Sequence, residues 1–292
     1  MLVSIITPSF NQGEYLEETI LSVLNQDYPD IEYIVIDGGS SDKSVDVIKK
    51  YAERLEYWIS EPDKGQADAI NKGIRKSKGA LICWINSDDI LFPGFVSTRV
   101  KQFSENPEIG LIYGDVYQGL DPDHKVIRIG APADFMKMLV SVRVPIPQQS
   151  AVWRRSVIQE AGELDIRWHV LLDWEFFMRV ARWNKILYVP GALAFFRNHE
   201  KSKSVSDWRK WADELEEYYC DLFSDALGSE YKSLRQKSMA AMYYKCSLIC
   251  KDCNDIPARN RYLSLSKRTN FCYFKRLSLK HKFRSLKIKG KK

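Results

Sequence analysis

The sequence predicts an α/β fold: a mostly parallel, Rossmann-like sheet, then a mixed half, then a C-terminal helical extension. Three observations carry this. Strand and helix patterns alternate through the first 115 residues. Such alternation implies right-handed crossovers and a parallel sheet with helices on both faces. After Asp115 the rhythm becomes mixed, and from Ser206 to about Cys250 two amphipathic helix patterns follow.

Each element has a local reason. Residues 2–7 are nearly all apolar, as a strand buried on both faces requires, and Pro8-Ser9-Phe10-Asn11 breaks the run. Residues 14–24 place Tyr15, Ile20, Val23 and Leu24 at steps of three and four, a helix pattern. Residues 31–37 form a β-branched strand stopped by Gly38-Gly39. A helix over 42–55, a strand over 57–60 and a helix over 67–77 closed by Gly79 come next, then strands at 80–85 and 109–113. In the mixed half, 115–129 reads as a hairpin about Asp121-Pro122-Asp123. A strand is expected at 148–153, helices at 154–161 and 173–183, and two extended pieces at 185–189 and 192–197. The last two helices carry Trp208, Trp211, Leu215, Tyr218 and Leu222 on one stripe, and Tyr231, Leu234, Met239, Met242 and Cys246 on the other.

Composition narrows the class. Apolar residues make up 45% and charged residues 28% of 292, which excludes a wholly disordered chain. No apolar run approaches the length of a spanning helix. The N-terminus lacks a basic region and cleavage site, and the six cysteines lack framework spacing. A soluble protein of the cytoplasm is expected. The net charge of +6 is uneven: residues 256–292 hold 13 Lys/Arg and no acid, leaving 44 − 13 = 31 cations against 38 anions before them. The body is mildly acidic and the tail is an arm suited to an anionic surface.

Ligands of open parallel sheets bind beyond the carboxyl ends of the strands. Three such ends are unusually polar: 7–11, 37–42 and 86–89. None matches a dinucleotide fingerprint or a phosphate-binding loop. Asn86-Ser87-Asp88-Asp89 puts two adjacent carboxylates at a strand end in an acidic body. A divalent cation relieves that repulsion, and Mg²⁺ or Mn²⁺ suits oxygen ligands. Equally, either acid could cap the helix after Pro93.

The motifs together resemble the family 2 glycosyltransferases. The resemblance rests on Ile6-Thr7-Pro8-Ser9-Phe10-Asn11, Leu21-Ser22-Val23-Leu24-Asn25-Gln26, Val35-Ile36-Asp37-Gly38-Gly39-Ser40-Ser41-Asp42 and Asp88-Asp89. Ser60-Glu61-Pro62-Asp63-Lys64-Gly65 with Asp68-Ala69-Ile70-Asn71-Lys72-Gly73, and Leu172-Asp173-Trp174-Glu175-Phe176, extend it over roughly residues 2–200. It implies the GT-A fold over residues 1–200 and inverting transfer of a sugar from a nucleotide diphosphate sugar to an acceptor. Residues 1–115 would bind the sugar nucleotide, 116–200 would supply the acceptor site and base, and 201–292 would form the helical extension with its basic tail.

The resemblance also implies roles. Thr7, Pro8 and Phe10 would line the nucleobase pocket, and Asp37 would stand by base and ribose. Many relatives carry a second acid where this chain has Gly38. Asp63 and Asn71 would border the nucleotide, Asn86 would read ribose or sugar, and Asp88 and Asp89 would hold Mn²⁺ or Mg²⁺ and the diphosphate. His199 matches a late histidine that ligates metal or touches diphosphate in some relatives. Asp173 would be the base that takes the acceptor hydroxyl's proton. On the bare sequence it also reads as a helix N-cap. The donor expected is a UDP-sugar, and the acceptor a glycan or lipid-linked chain of surface polysaccharide or glycolipid synthesis.

Other features read as structural. Cys246, Cys250 and Cys253 fall on one helical face, as core packing produces. Trp168, Trp174 and Trp183 read as packing, and Arg197 pairs with a phosphate or a surface acid. Phe271, Phe274, Leu277, Leu279, Phe283, Leu286 and Ile288, interleaved with cations, suit peripheral contact with an anionic membrane at the inner face of the cell. The alternatives are a disordered tail, or a noncatalytic nucleic-acid-binding protein acting through it. The strand-end carboxylates would repel nucleic acid phosphates, so no nucleic acid partner is expected.

Overall fold

The structure is a computed structural model that describes residues 1–199, 202–203, 207–226 and 229–289. It divides into two compact units. One comprises Met1–Phe135 and Val144–Glu200; the other comprises Met136–Arg143 and Lys201–Lys292.

The first unit opens as expected. β1 (Val3–Ser9), α1 (Leu16–Leu24), β2 (Ile31–Asp37), α2 (Ser44–Tyr51), β3 (Tyr57–Ser60), α3 (Gln66–Lys76) and β4 (Leu81–Trp84) alternate. β5 (Ile90–Leu91), α4 (Phe95–Glu105), β6 (Leu111–Gly119), β7 (Lys125–Arg128), β8 (Val152–Arg154), α6 (Ser156–Ala161), α7 (Leu172–Trp183) and β9 (Ile186–Arg197) complete it. The sheet order is β3-β2-β1-β4-β8-β6-β9-β5, with β7 beside β6. β3, β2, β1 and β4 run parallel, and β8 turns antiparallel between β4 and β6. β9 runs parallel to β6, and β5 antiparallel to β9.

The apolar strand runs account for the core. Ile5, Ile6, Ile34, Val35, Leu81 and Ile82 are fully buried, each worth about 1.5–3 kcal/mol of removed apolar surface. α3 lies so close on β1 that a Cβ at Gly73 would overlap Ile6. An aromatic cluster seats α7. Trp84 stacks on Phe177 at 5.9 Å and meets Trp153 at 5.2 Å, and Phe176 packs edge-on against both tryptophans. Phe176 and Phe177 lie three and four residues after Asp173, so burying them fixes where the first turn of α7 stands.

Three local expectations change. The expected strand over 148–153 begins as a 3₁₀ turn at Gln148–Ser150 after Pro147, closed by the Ser150 N–H to Pro147 O bond of 3.0 Å. The two extended pieces around residue 190 are one strand, β9. Pro190-Gly191 interrupts its sequence, but β6 pairs with it on both sides of a register shift. The Gly191 N–H left over there donates to Asp115 Oδ2 at 3.0 Å. α4 starts after Gly94, in the left-handed region at φ 83°, without a side-chain cap, so neither Asp88 nor Asp89 caps it.

The second unit is helical. It holds most of α5 (Phe135–Ser141), with α8 (Trp208–Asp221), α9 (Arg235–Asp252), α10 (Ile256–Thr269) and α11 (Phe271–Lys289). Leu215, Tyr219, Met239, Met242, Cys246 and Tyr262 form its core. Asp255 caps α10, its Oδ1 accepting the Ala258 N–H at 3.0 Å with Pro257 in the first turn. Cys246 and Cys250 are buried as packing residues, whereas Cys253 is exposed at the helix end. The described part of the basic tail forms two helices, Ile256–Thr269 and Phe271–Lys289. The side chains of Trp208, Phe283, Leu286 and Ile288 lie outside the described residues. Among the described residues no helix is long and apolar enough to cross a membrane.

Candidate active site

The polar strand ends lie where the parallel strands β1, β2 and β4 terminate. After β2, Asp37 is wholly buried. It accepts from Ser9 Oγ (3.0 Å), Ser40 Oγ (2.6 Å), Ser60 Oγ (2.7 Å) and the N–H groups of Gly39 (3.1 Å) and Ser40 (2.9 Å). Five donors use its oxygens to tie β1, β2 and β3 together. Asn11 joins the same loop from a left-handed conformation at φ 51°, its Oδ1 accepting the Ser41 N–H at 2.9 Å. A Cβ on Gly38 would lie 2.6 Å from Asp63 Oδ2. Asp63 therefore occupies the space beside this loop, its other oxygen accepting the Gly65 N–H at 2.7 Å.

The nucleobase residues expected on β1 differ in access. Phe10 is 61% exposed. Thr7 and Pro8 are buried in the strand, and the Thr7 hydroxyl stands 3.0 Å from that of Tyr33.

Asn86 to Asp89 form a tight turn after β4, closed by the Asp89 N–H to Asn86 O bond of 3.1 Å. Asp89 points inward and is wholly buried. Its Oδ2 accepts from Gln149 Nε2 at 2.9 Å and Asn86 Nδ2 at 3.1 Å, and its Oδ1 from the Arg197 backbone N–H at 2.9 Å. Burial, with the Asp88 charge beside it, pushes this carboxyl well above the usual carboxylate range. Asn86 also accepts from Gln66 at 2.8 Å and donates to Gln148 at 3.2 Å. Gln148 in turn donates to Trp84 O at 2.8 Å.

Asp88 points the other way. Its Oδ2 stands 3.0 Å from His199 Nε2, and the His199 ring packs on Tyr15 at 4.8 Å. Arg197, at the end of β9, locks this corner. Its guanidinium donates to Asp88 O (2.9 Å), Leu120 O (3.1 Å) and the Glu18 carboxylate (2.5 Å), and lies 4.9 Å from the Tyr15 ring. Glu200 and Lys201, which follow His199, lie outside the described residues.

Asp173 stands on a third element. The N-cap of α7 is Leu171, so Asp173 belongs to the first turn rather than capping it. It accepts the Trp174 N–H at 2.7 Å. Burial pushes its carboxyl above the usual range, against the pull of that N–H and of the Arg128 charge. The Asn71 amide is taken up within the protein. It is 2% exposed, and its amide exchanges two bonds with the Leu164 backbone, at 2.8 and 3.0 Å. It fixes the loop that leads into α7. Arg179 grips the same loop, pairing with Glu175 at 2.7 Å and donating to Glu163 O at 2.9 Å. Trp168 is buried, whereas Trp183 is 59% exposed under the Arg182 guanidinium.

Sequence reasoning missed Gln66, Gln148 and Gln149, the amides that hold the Asn86–Asp89 turn. The one cue was a pair of adjacent amides directly after Pro147. As a metal site, the corner offers one carboxylate oxygen and one imidazole nitrogen, Asp88 and His199. Among the described residues no group of three or more His, Cys, Asp or Glu could hold a metal. Two side chains 3.0 Å apart do not by themselves make a metal site; a Mg²⁺ or Mn²⁺ held there would take most of its shell from water and substrate oxygens.

The family model for glycosyl transferase family 2 matches residues 4–197. A PGL/p-HBAD biosynthesis glycosyltransferase of Mycobacterium bovis is 29% identical over 182 residues, covering 61% of this chain and 69% of that protein. The structure resembles S. aureus TarS 1-349 in complex with UDP-GlcNAc, with a TM-score of 0.63 at 12% identity, covering 92% of this chain and 91% of that one. The chain spans 54% of the longer TarS chain. It also resembles the mannosyltransferase PcManGT of Pyrobaculum calidifontis in complex with GDP-Man and Mn²⁺, with a TM-score of 0.62 at 18% identity, covering 97% and 80%. The fold is GT-A with a helical C-terminal part, and the chain belongs to glycosyl transferase family 2.

Proposed function

We propose that this protein is an inverting glycosyltransferase that moves a sugar from a UDP-sugar to a hydroxyl of a glycan or lipid-linked acceptor. The observation that carries this is the division of labour between two acids. Asp88 stands 3.0 Å from His199 at the strand ends, while Asp173, on α7, has a carboxyl whose proton affinity burial raises. A basic carboxylate on a separate element suits proton abstraction.

Phe10 gives the nucleobase an exposed aromatic face, and Asp63 lies beside the ribose, in the place a second acid at position 38 would take. Asp88 and His199 face the diphosphate. Mn²⁺ or Mg²⁺, bound by them, would offset the negative charge on the leaving diphosphate. Asp89 holds the backbone of Arg197 and so keeps the corner in shape. Asp173 takes the acceptor hydroxyl's proton as that oxygen bonds to C1. The C1–O bond to the diphosphate breaks on the opposite face, which inverts the anomeric centre. The matched M. bovis protein is named for PGL/p-HBAD biosynthesis, which supports an acceptor of that class. The TarS neighbour in complex with UDP-GlcNAc supports a UDP donor.

A calorimetric screen of UDP-, GDP- and dTDP-sugars, with Mn²⁺ and with EDTA, tests the reading. Mn²⁺-dependent binding of a UDP-sugar is expected. Binding of no nucleotide sugar, or equal binding in EDTA, would overturn the donor or the metal half respectively.

A further inference from the structure

The second unit carries a face that sugar transfer does not use. α11 packs inward through Phe274, edge-on to Tyr244 at 5.9 Å, and through Tyr273, whose hydroxyl donates to Val140 O at 3.4 Å. Leu277 is half-buried on the same side. The opposite side is solvent-facing and apolar at its tips: Phe271 is 51% and Leu279 52% exposed. Residues 271, 275 and 279 rise in steps of four and share one stripe. Lys275, Arg276 and Lys280 are exposed around them, and the Lys267 and Lys275 ammonium groups stand 5.8 and 6.0 Å from the centre of the Phe271 ring. Ile256 at the start of α10 and Met136 on α5 are also exposed. Met136, Val140, Leu234 and Tyr273 line an open apolar groove of about 530 Å³.

A solvated charged face accounts for the cations but not for phenylalanine and leucine at its tips. An ordinary docking face accounts for the apolar tips but not for 11 Lys/Arg and no acid across residues 256–289. Apolar tips ringed by cations match a surface with an apolar interior and anionic head groups. We propose that the Phe271, Lys275 and Leu279 face of α11 docks on an anionic lipid bilayer, Phe271 and Leu279 entering the acyl boundary and the lysines and arginines meeting the head groups. This holds whatever sugar the active site transfers.

The test is cosedimentation of the full chain, at physiological salt, with vesicles of phosphatidylcholine alone and of phosphatidylcholine with phosphatidylglycerol in equal parts. Binding is expected only to the second. Replacing Lys275, Arg276 and Lys280 together by Gln lowers partitioning by about two orders of magnitude, from the usual worth of a cation near such a surface. The pair Phe271→Ser and Leu279→Ser lowers it by about tenfold through lost apolar burial. All five side chains are exposed, so the variants keep the parent's circular dichroism and nucleotide-sugar binding. Full-length protein that ignores anionic vesicles overturns the proposal, as do variants that bind like the parent. Binding of single-stranded RNA in place of the vesicles assigns the face to nucleic acid instead.

Discussion

The carboxylate of Asp63 fills the space into which a side chain at Gly38 would grow, a Cβ there lying 2.6 Å from Asp63 Oδ2. The obstacle is the end of a side chain rather than backbone. Gly38→Ala is therefore expected to push Asp63 aside with little loss of thermal stability, while weakening nucleotide-sugar binding several-fold. The exchange of Gly38→Asp with Asp63→Ala restores an acid beside the loop and is expected to recover much of that binding. Titration calorimetry on the parent, Gly38→Ala and the double variant checks this; a double variant that binds no better than Gly38→Ala would contradict it.

Asp173→Asn keeps the shape of the first turn and removes the base. Turnover should fall by about two to four orders of magnitude, the worth of a positioned general base, with donor affinity held within a few-fold. A carboxyl raised in the folded state lends stability at acid pH that is lost as pH rises through its folded value. Asn removes that loss, so the variant's melting temperature at neutral pH should equal or exceed the parent's. In the parent, kcat should rise with pH through a titration above the ordinary aspartate range.

Asp88→Asn and His199→Ala should each weaken UDP-sugar binding in Mn²⁺. If the two act together on one cation, EDTA should weaken the parent to the level of the variants and add little to them. Parent binding that is indifferent to EDTA would reduce the pair to a structural hydrogen bond.

Gln149→Leu leaves Asp89 Oδ2 without one of its donors in a wholly buried place. The cost should be about 1–3 kcal/mol of unfolding free energy, read by urea denaturation. Activity should fall with it, because Asp89 also holds the Arg197 backbone.

The strand–helix order of the first 115 residues was legible because each element announces itself locally. Val3–Ser9 and Ile31–Asp37 are rich in β-branched and apolar residues, Leu16–Leu24 has helical spacing, and each strand ends in a turn-forming cluster. β9 was not legible as one strand, because Pro190-Gly191 breaks the local pattern and only its pairing with β6 carries it through. The N-cap reading of Asp173 failed by two residues, since the burial of Phe176 and Phe177 sets the start of α7.

By itself, the sequence determined the fold class, the family and the residue types at the strand ends, because periodicity and motif order are properties of the chain. It also determined the charge of the tail. Only the tertiary structure decided which of two adjacent acids is wholly buried and which meets His199: Arg197 and His199 arrive at Asp89 and Asp88 from 108 and 111 residues away. Gln149 and Asn86 turn Asp89 inward, Leu164 engages the Asn71 amide, and five donors engage Asp37. Hydrogen-bond saturation is a property of neighbours in space, and no local pattern encodes it.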